Sequence, residues 1–335
     1  MKTRSDISPL LSVLVIGYKR QEFIMDAIKS VLYQSIQRND YEIICVIGFH
    51  DEELSSFLQS NNIKEIFCDG KMGQTIVSGI EACSTDIVVF IEDDDQFRND
   101  KLEKVLEAFQ DYNCIYYHNN NQLIDEKSRL ILDDISPYNK QITRPFVWHP
   151  NSRINYILKH RGDFNMSSIA VSKEILHPYL NALSKIETSP DSIIFFLLMQ
   201  NKMPFCFDIE KTTFYRIHNS ETNNIEHTTP QKILYTSLRF YKSRVIAYET
   251  MRSAFVRKVF LGYLLESKFG AYIDGQLDLK PRLTEEIKFF SIALARKSKF
   301  YMMLLFATYL TNMFPIYVRK IKESRRSKRY KRWNN

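Results

Sequence analysis

Residues 87–97 read IVVFIEDDDQF, five apolar residues running directly into four consecutive carboxylates, Glu92, Asp93, Asp94 and Asp95. A short apolar run bounded by Asp86 reads as a strand buried on both faces, as in a parallel sheet covered by helices. The acids then fall at its carboxyl end, the edge where open α/β sheets bind ligands. Four like charges in a row repel one another. A compact fold accommodates them as a solvated acidic loop that caps the next helix, or around a cation. Ligands made only of oxygen suit Mg²⁺ or Mn²⁺, which in turn hold nucleotide phosphates. Placement at the end of a wholly apolar strand favours the cation.

The chain around this stretch alternates strand-like and helix-like segments. Residues 11–16 form an apolar strand ending at Gly17, followed by a helical stripe of Phe23, Ile24, Ala27, Ile28, Val31 and Leu32. Residues 41–47 and 63–68 read as strands, with helices after each, the second over residues 73–83. Beyond the acids a helix carries Leu102, Val105, Leu106 and Phe109 on one face with Asn99 as its N-cap, and residues 114–117 make a fifth strand. Repeated strand–helix–strand units imply an α/β fold with a Rossmann-like, mostly parallel central sheet and right-handed connections. Residues 119–161 show no assignable pattern, which is typical of a functional loop or insertion. Strands return at 166–171 and 212–218, with an apolar helix at 193–199 between them, and the sequence is helical from about residue 230.

The net charge of +7 is concentrated at one end. From Arg319 onward there are nine Lys and Arg and one Glu, which leaves 37 basic and 38 acidic residues before it. The five cysteines lack any C-x-x-C spacing and mostly lie within or beside apolar runs, as buried thiols in a reducing compartment do. The apolar run at 11–16 is too short for a secretory signal, so the expected location is cytoplasmic.

Four segments together carry a resemblance to a known family. LSVLVIGYKRQEFIMDAIKSVLYQS at 11–35, FIEDDDQF at 90–97, SPDSIIFFLLMQNKMPF at 189–205 and FYRIHNSETN at 214–223 are similar, in order and spacing, to motifs of the inverting family 2 glycosyltransferases with the GT-A fold. The likeness covers roughly residues 10–225. It implies a catalytic domain over residues 1–225, followed by a helical, membrane-associating region with a basic tail over residues 226–335. The implied reaction moves a sugar from a nucleotide-sugar donor to a hydroxyl acceptor, a glycan or lipid-linked precursor. A polyprenyl-phosphate sugar transferase and a catalytically silent binding module are the rival readings.

By that resemblance Asp94 is the main ligand of a divalent cation, Mn²⁺ or Mg²⁺, with Glu92, Asp95 and His218 assisting. Tyr18, Arg20, Lys71, Gly73 and Asp93 contact the nucleotide sugar, and Asp191 is the catalytic base. A base and a cation form the minimum set, because the acceptor hydroxyl must lose a proton while the leaving diphosphate needs its charge neutralised. On local pattern alone Asp191 also fits an N-cap or first-turn acid. Two departures stand out. Where the family carries an acid for the nucleobase after the second strand, this chain reads Val46-Ile47-Gly48-Phe49-His50, and Ile76-Val77-Ser78-Gly79 replaces Arg-Asn-x-Gly.

Residues 301–318, YMMLLFATYLTNMFPIYV, carry no charge and stand between Lys297 and Lys299 on one side and the nine-cation tail on the other. That length just meets the threshold for a spanning helix. Asn312, Pro315 and the flanking cations instead suggest an in-plane helix held on an anionic membrane surface at the inner face of the cell membrane. The tail's neighbouring apolar residues favour lipid over nucleic acid as its partner.

Overall fold

A computed structural model describes residues 9–18, 20–131, 141–150, 154–218, 229–296 and 298–313. The chain divides into two compact units, Met1–Ile217 and His218–Asn335.

The first unit opens with β1 (Leu11–Gly17), every residue of which is buried, and α1 (Ile24–Leu32). Helix α1 turns Ile24, Ala27, Ile28 and Val31 to the core, as its 3.6-residue stripe requires. Next come β2 (Tyr41–Ile47), α2 (Glu52–Ser60), β3 (Lys64–Phe67) and α3 (Met72–Ala82). Asp51 caps α2 by accepting the Leu54 N–H at 2.9 Å. The acid-bearing segment forms β4 (Ile87–Glu92) and a tight turn into β5 (Gln96–Phe97). Helix α4 (Lys101–Tyr112) starts after Asp100, not after the expected cap Asn99, whose carbonyl accepts from Ser35 N instead. Strand β6 (Tyr116–His118) is the expected fifth strand, while β7 (Asn121–Ile124) and β8 (Phe146–Trp148), with the short helix α5 (Ile154–Lys159), occupy the stretch whose sequence lacks a pattern. Strand β9 (Ile169–Ser172) follows, then α6 (Lys173–Leu176), α7 (Leu180–Leu183), α8 (Pro190–Leu198), β10 (Phe205–Phe207) and β11 (Thr213–Arg216).

Eight strands make one sheet in the order β3-β2-β1-β4-β9-β6-β10-β8, and β5-β11-β7 make a second. The half formed by β3, β2, β1 and β4 is wholly parallel, while β9 runs antiparallel to both β4 and β6. Strand β1 has β2 on one side and β4 on the other, so successive connections leave it in opposite directions. That is a topological switch point, where a crevice opens at the carboxyl edge. The register places Gly17 beside Ile47 and Ile16 beside Glu92, so the carboxyl ends of β1, β2 and β4 are level.

Beyond the parallel half, Tyr116, Trp148, Phe195, Phe205 and Phe207 form one aromatic cluster with ring centroids 4.9–6.4 Å apart. All five are buried, and burial of several rings supplies the apolar area that such short strands lack individually. The five cysteines are free thiols and none is fully exposed.

The second unit holds α9 (Pro230–Thr250), α10 (Ala254–Asp274), α11 (Leu283–Ala295) and α12 (Lys299–Met313). Leu265, Phe269 and Ile273 of α10 pack on Phe289 and Ala293 of α11 and on Tyr301 and Leu304 of α12. No helix among the described residues is long and apolar enough to cross a membrane. Helix α12 takes up residues 301–313 of the uncharged run, and the remainder, residues 314–318, lies outside the described residues.

Candidate active site

The turn after β4 is held from three directions. Asp93 N donates to Ile16 O at 3.1 Å, which binds the turn to the end of β1. Glu92 N donates to Ser167 Oγ at 2.9 Å, just ahead of β9. Asp95 lies 1% exposed, with Oδ1 accepting the backbone N–H of Arg216 at 3.0 Å and Oδ2 accepting Asn165 Nδ2 at 3.3 Å.

Arg216, the last residue of β11, is the turn's main support. Its side chain is fully buried, stacks over Phe23 at 4.4 Å and donates Nε to Asp94 O at 2.8 Å. The remaining guanidinium donors reach Asp125 O, Glu126 O, Ser128 Oγ and Asp26 Oδ2 at 3.0–3.2 Å. Its planar fork can serve this many acceptors at once, which a lysine could not do.

Arg20 enters from the other side of the switch point, two residues past Tyr18 and three past the end of β1. One of its guanidinium nitrogens lies 2.6 Å from Asp93 Oδ1 and 2.7 Å from Asp94 Oδ2. Asp191, the second residue of α8, accepts the backbone N–H of Asn165 on Oδ2 at 2.9 Å. It is a first-turn acid, since the capping position belongs to Ser189. The acid turn and Asp191 are therefore joined through a single residue, Asn165.

These carboxyls are short of positive charge. Burial, followed by repulsion from Asp94, pushes Asp93 up to about 7 and Asp95 up to about 8, although Arg20 pulls Asp93 the other way. Burial raises Glu92 well above the usual carboxylate range, with further upward contributions from Asp94, Asp95 and Asp191. Loss of water also raises Asp191, against the N–H donors that favour its anion.

A divalent cation suits this donor set. Asp93 Oδ2 is buried with no hydrogen-bond partner, beside the carboxylate of Asp94. No group of three or more His, Cys, Asp or Glu residues among the described residues forms a ready cage. Mg²⁺-type sites need fewer, because one or two carboxylates act together with substrate phosphates and water.

Two of the other expected contacts are engaged elsewhere. Lys71 Nζ pairs with Glu187 at 2.7 Å. The Gly73 N–H is committed to Ile186 O at 2.9 Å, so it is not a free donor for a diphosphate. Glycine is required there for packing, because a Cβ would run into the carbonyl oxygen of Leu183. His218 is half-buried and is the first residue of the second unit, two residues along the chain from Arg216. In place of the missing acid after β2, His50 lies flat on Phe67 with ring centroids 4.3 Å apart and planes 9° from parallel.

Sequence reasoning missed Arg216, Asn165 and Ser167. Arg216 lies inside the FYRIHN motif and could have been found there, whereas nothing in the pattern around Asn165 marks it.

Solved structures share this architecture. TarS 1–349 of S. aureus, in complex with UDP-GlcNAc, matches with a TM-score of 0.62 at 12% identity, covering 94% of this chain and 90% of that one. The mannosyltransferase PcManGT of Pyrobaculum calidifontis, in complex with GDP-Man and Mn²⁺, gives 0.53 at 11% identity, covering 93% and 89%. The sheet order, the acid turn at the switch point and these likenesses define a GT-A glycosyltransferase fold. Residues 12–166, just under half of the chain, match the family model described as Glycosyl transferase family 2. Among curated relatives, TuaG of Bacillus subtilis (strain 168), named for glycosyl transfer in teichuronic acid biosynthesis, is 28% identical over 115 residues. That match covers 32% of this chain and 45% of the relative. A glycosyltransferase of Rickettsia felis, described as uncharacterized, is 29% identical over 126 residues, covering 36% and 21%. The matched region is less than half the length of either relative.

Proposed function

We propose that this chain transfers a sugar, with inversion, from a nucleotide-sugar donor to a hydroxyl acceptor, with Asp191 as base and Asp93 and Asp94 holding a divalent cation. The observation that carries the reading is the linkage of Asp191 to the acid turn through Asn165, since a base must be positioned relative to the leaving diphosphate. The cation supplies charge neutralisation to that diphosphate when bound. Arg20 already spans Asp93 and Asp94, so it is placed to move onto the donor phosphates. The neighbours that hold UDP-GlcNAc, or GDP-Man with Mn²⁺, support a nucleotide-sugar donor and a divalent cation. In this reading the base of the donor stacks on the His50–Phe67 pair, since Phe67 is 50% exposed and stands at the same sheet edge.

The acceptor in this reading is a lipid-linked glycan or polysaccharide precursor, met at the cytoplasmic face of a membrane. Support comes from the second unit. Met302, Met303, Phe306 and Tyr309 are exposed on α12, and Leu283, Ile287, Phe290 and Leu294 form an exposed apolar stripe on α11. Lys288 and Lys299 are exposed on the same helices, and the nine-cation tail follows in the sequence. An apolar face flanked by cations suits an anionic lipid surface.

The test is direct. Asp191→Asn should keep donor affinity while turnover falls by about 10²–10⁴-fold, the usual cost of a lost base. Asp94→Ala should abolish the stimulation of turnover by Mn²⁺ or Mg²⁺. Near-normal turnover of Asp191→Asn would place the base elsewhere.

A further inference from the structure

Asn165 is 2% exposed and holds its backbone at φ 74° and ψ 115°, a region that residues with a side chain rarely adopt. Strain of this kind persists only where the surroundings enforce it. The surroundings here are specific. The Asn165 N–H points at Asp191 Oδ2, 2.9 Å away, and Nδ2 points at Asp95 Oδ2, 3.3 Å away. Its Oδ1 accepts the Ser167 N–H at 2.6 Å, and Ser167 Oγ accepts the Glu92 N–H at 2.9 Å. The bonds close a circuit from the end of β4, through Ser167 and Asn165, back to Asp95, with Asp191 attached to the same residue. A relaxed backbone at Asn165 would turn the N–H away from Asp191 while the side chain stayed on Asp95, so both contacts together need the left-handed conformation.

We infer that Asn165 is a positioning residue for transfer: it fixes the Asp191 carboxylate at a set distance and orientation from the acid turn, without itself touching either substrate. The inference rests on the proposed role of Asp191. Asn165 donates to both carboxylates, and it does so with two different groups. The main chain serves Asp191 and the side chain serves Asp95, so the two contacts can be separated by substitution. Glycine keeps the N–H and adopts φ 74° without strain while removing the link to Asp95 and Ser167. Aspartate keeps the shape and tolerates the conformation, but sets an oxygen against Asp95 Oδ2 where a donor stood.

The experiment is a double-mutant cycle on the full chain, read as kcat and donor KM for Asn165→Gly, Asp191→Asn and the double variant, with nucleoside diphosphate release as the signal. Positioning predicts that Asn165→Gly loses about tenfold or more in kcat with donor KM within about twofold. In the Asp191→Asn background the same substitution should cost less than about twofold, because there is no base left to position. Losses that multiply in the double variant, or a change confined to KM, would overturn the inference and leave Asn165 a structural residue. If Asn165→Gly does not fold, Asn165→Asp takes its place with the same expected pattern and the same refutation. Full activity of Asp191→Asn alone would instead refute the assignment of the base, so the two failures are distinguishable.

Discussion

At the scale of single residues, the sheet unit buries two basic side chains with opposite fates. Arg216 is saturated with acceptors, and its removal would leave the carbonyls of Asp94, Asp125 and Glu126 without their donor. Arg216→Met should therefore cost about 3–5 kcal/mol, the range for breaking one side of a buried polar network. Urea unfolding measures it, and a loss under about 1 kcal/mol would show that water replaces the guanidinium. Lys101 is 0% exposed, bonded to Asn119 Oδ1 and set over the rings of Phe97 and Tyr117 at 5.4 and 5.1 Å. Burial lowers it to about 7 from an ordinary 10.5. The unfolded chain thus binds the proton more tightly than the fold between those values, and stability attributable to this residue rises with pH across that window. Wild type should accordingly gain in Tm relative to Lys101→Met as pH goes from about 7 to about 10; a flat difference would mean that Lys101 titrates normally. The acids and Asp191 are legible in the sequence because they cluster or precede a helix. Asn165 gains its role from partners 26 and 70 positions away in the chain and Arg216 from partners 88 to 190 positions away, which no local pattern records.

At the scale of elements, legibility follows length. Strands β1, β2 and β4 are six or seven residues of nearly continuous apolar sequence, and their parallel pairing follows from the helices between them. Strands β8 and β10 are three residues each and are held by aromatic packing across the sheet, so their period is too short to read. Strand β9 reads as 166–171 in the sequence but spans Ile169–Ser172, because residues 166–168 form a single 3-10 turn that carries Ser167 to the acid turn. Helix α3 illustrates a glycine whose sequence neighbourhood suggests a ligand and whose structure shows packing. Gly73→Ala would drive a methyl group into the backbone of Leu183 and Ile186 and should destabilise by about 1–3 kcal/mol. Gly270, inside α10, has nothing within 4 Å of the place a Cβ would occupy, and Gly270→Ala should stabilise by about 0.5–1 kcal/mol. Thermal melts of the two variants that shifted in the same direction would contradict this account of both helices.

At the scale of the whole molecule, the two units divide the proposed work. The sheet unit carries the acid turn and Asp191, and the helical unit carries the apolar face and the cations. Helix α12 buries Tyr301, Leu304, Thr308 and Thr311 while exposing Met302, Met303, Phe306 and Tyr309, so its outward side carries large apolar and aromatic residues, unlike an ordinary surface helix. The double substitution Met303→Glu with Phe306→Glu should reduce recovery with anionic vesicles severalfold while leaving nucleotide binding unchanged; unaltered recovery would remove α12 from the membrane reading. The measurement that tests the central claim most directly is donor binding by the full chain, followed as a shift in melting temperature with nucleoside diphosphates, each with and without Mn²⁺. A ligand at about 100 times its Kd adds roughly 2.7 kcal/mol to the native state, enough to see. The account predicts stabilisation by a nucleoside diphosphate that depends on the cation and is weakened by Asp94→Ala. Absence of stabilisation by any nucleoside diphosphate, with or without the cation, would contradict it.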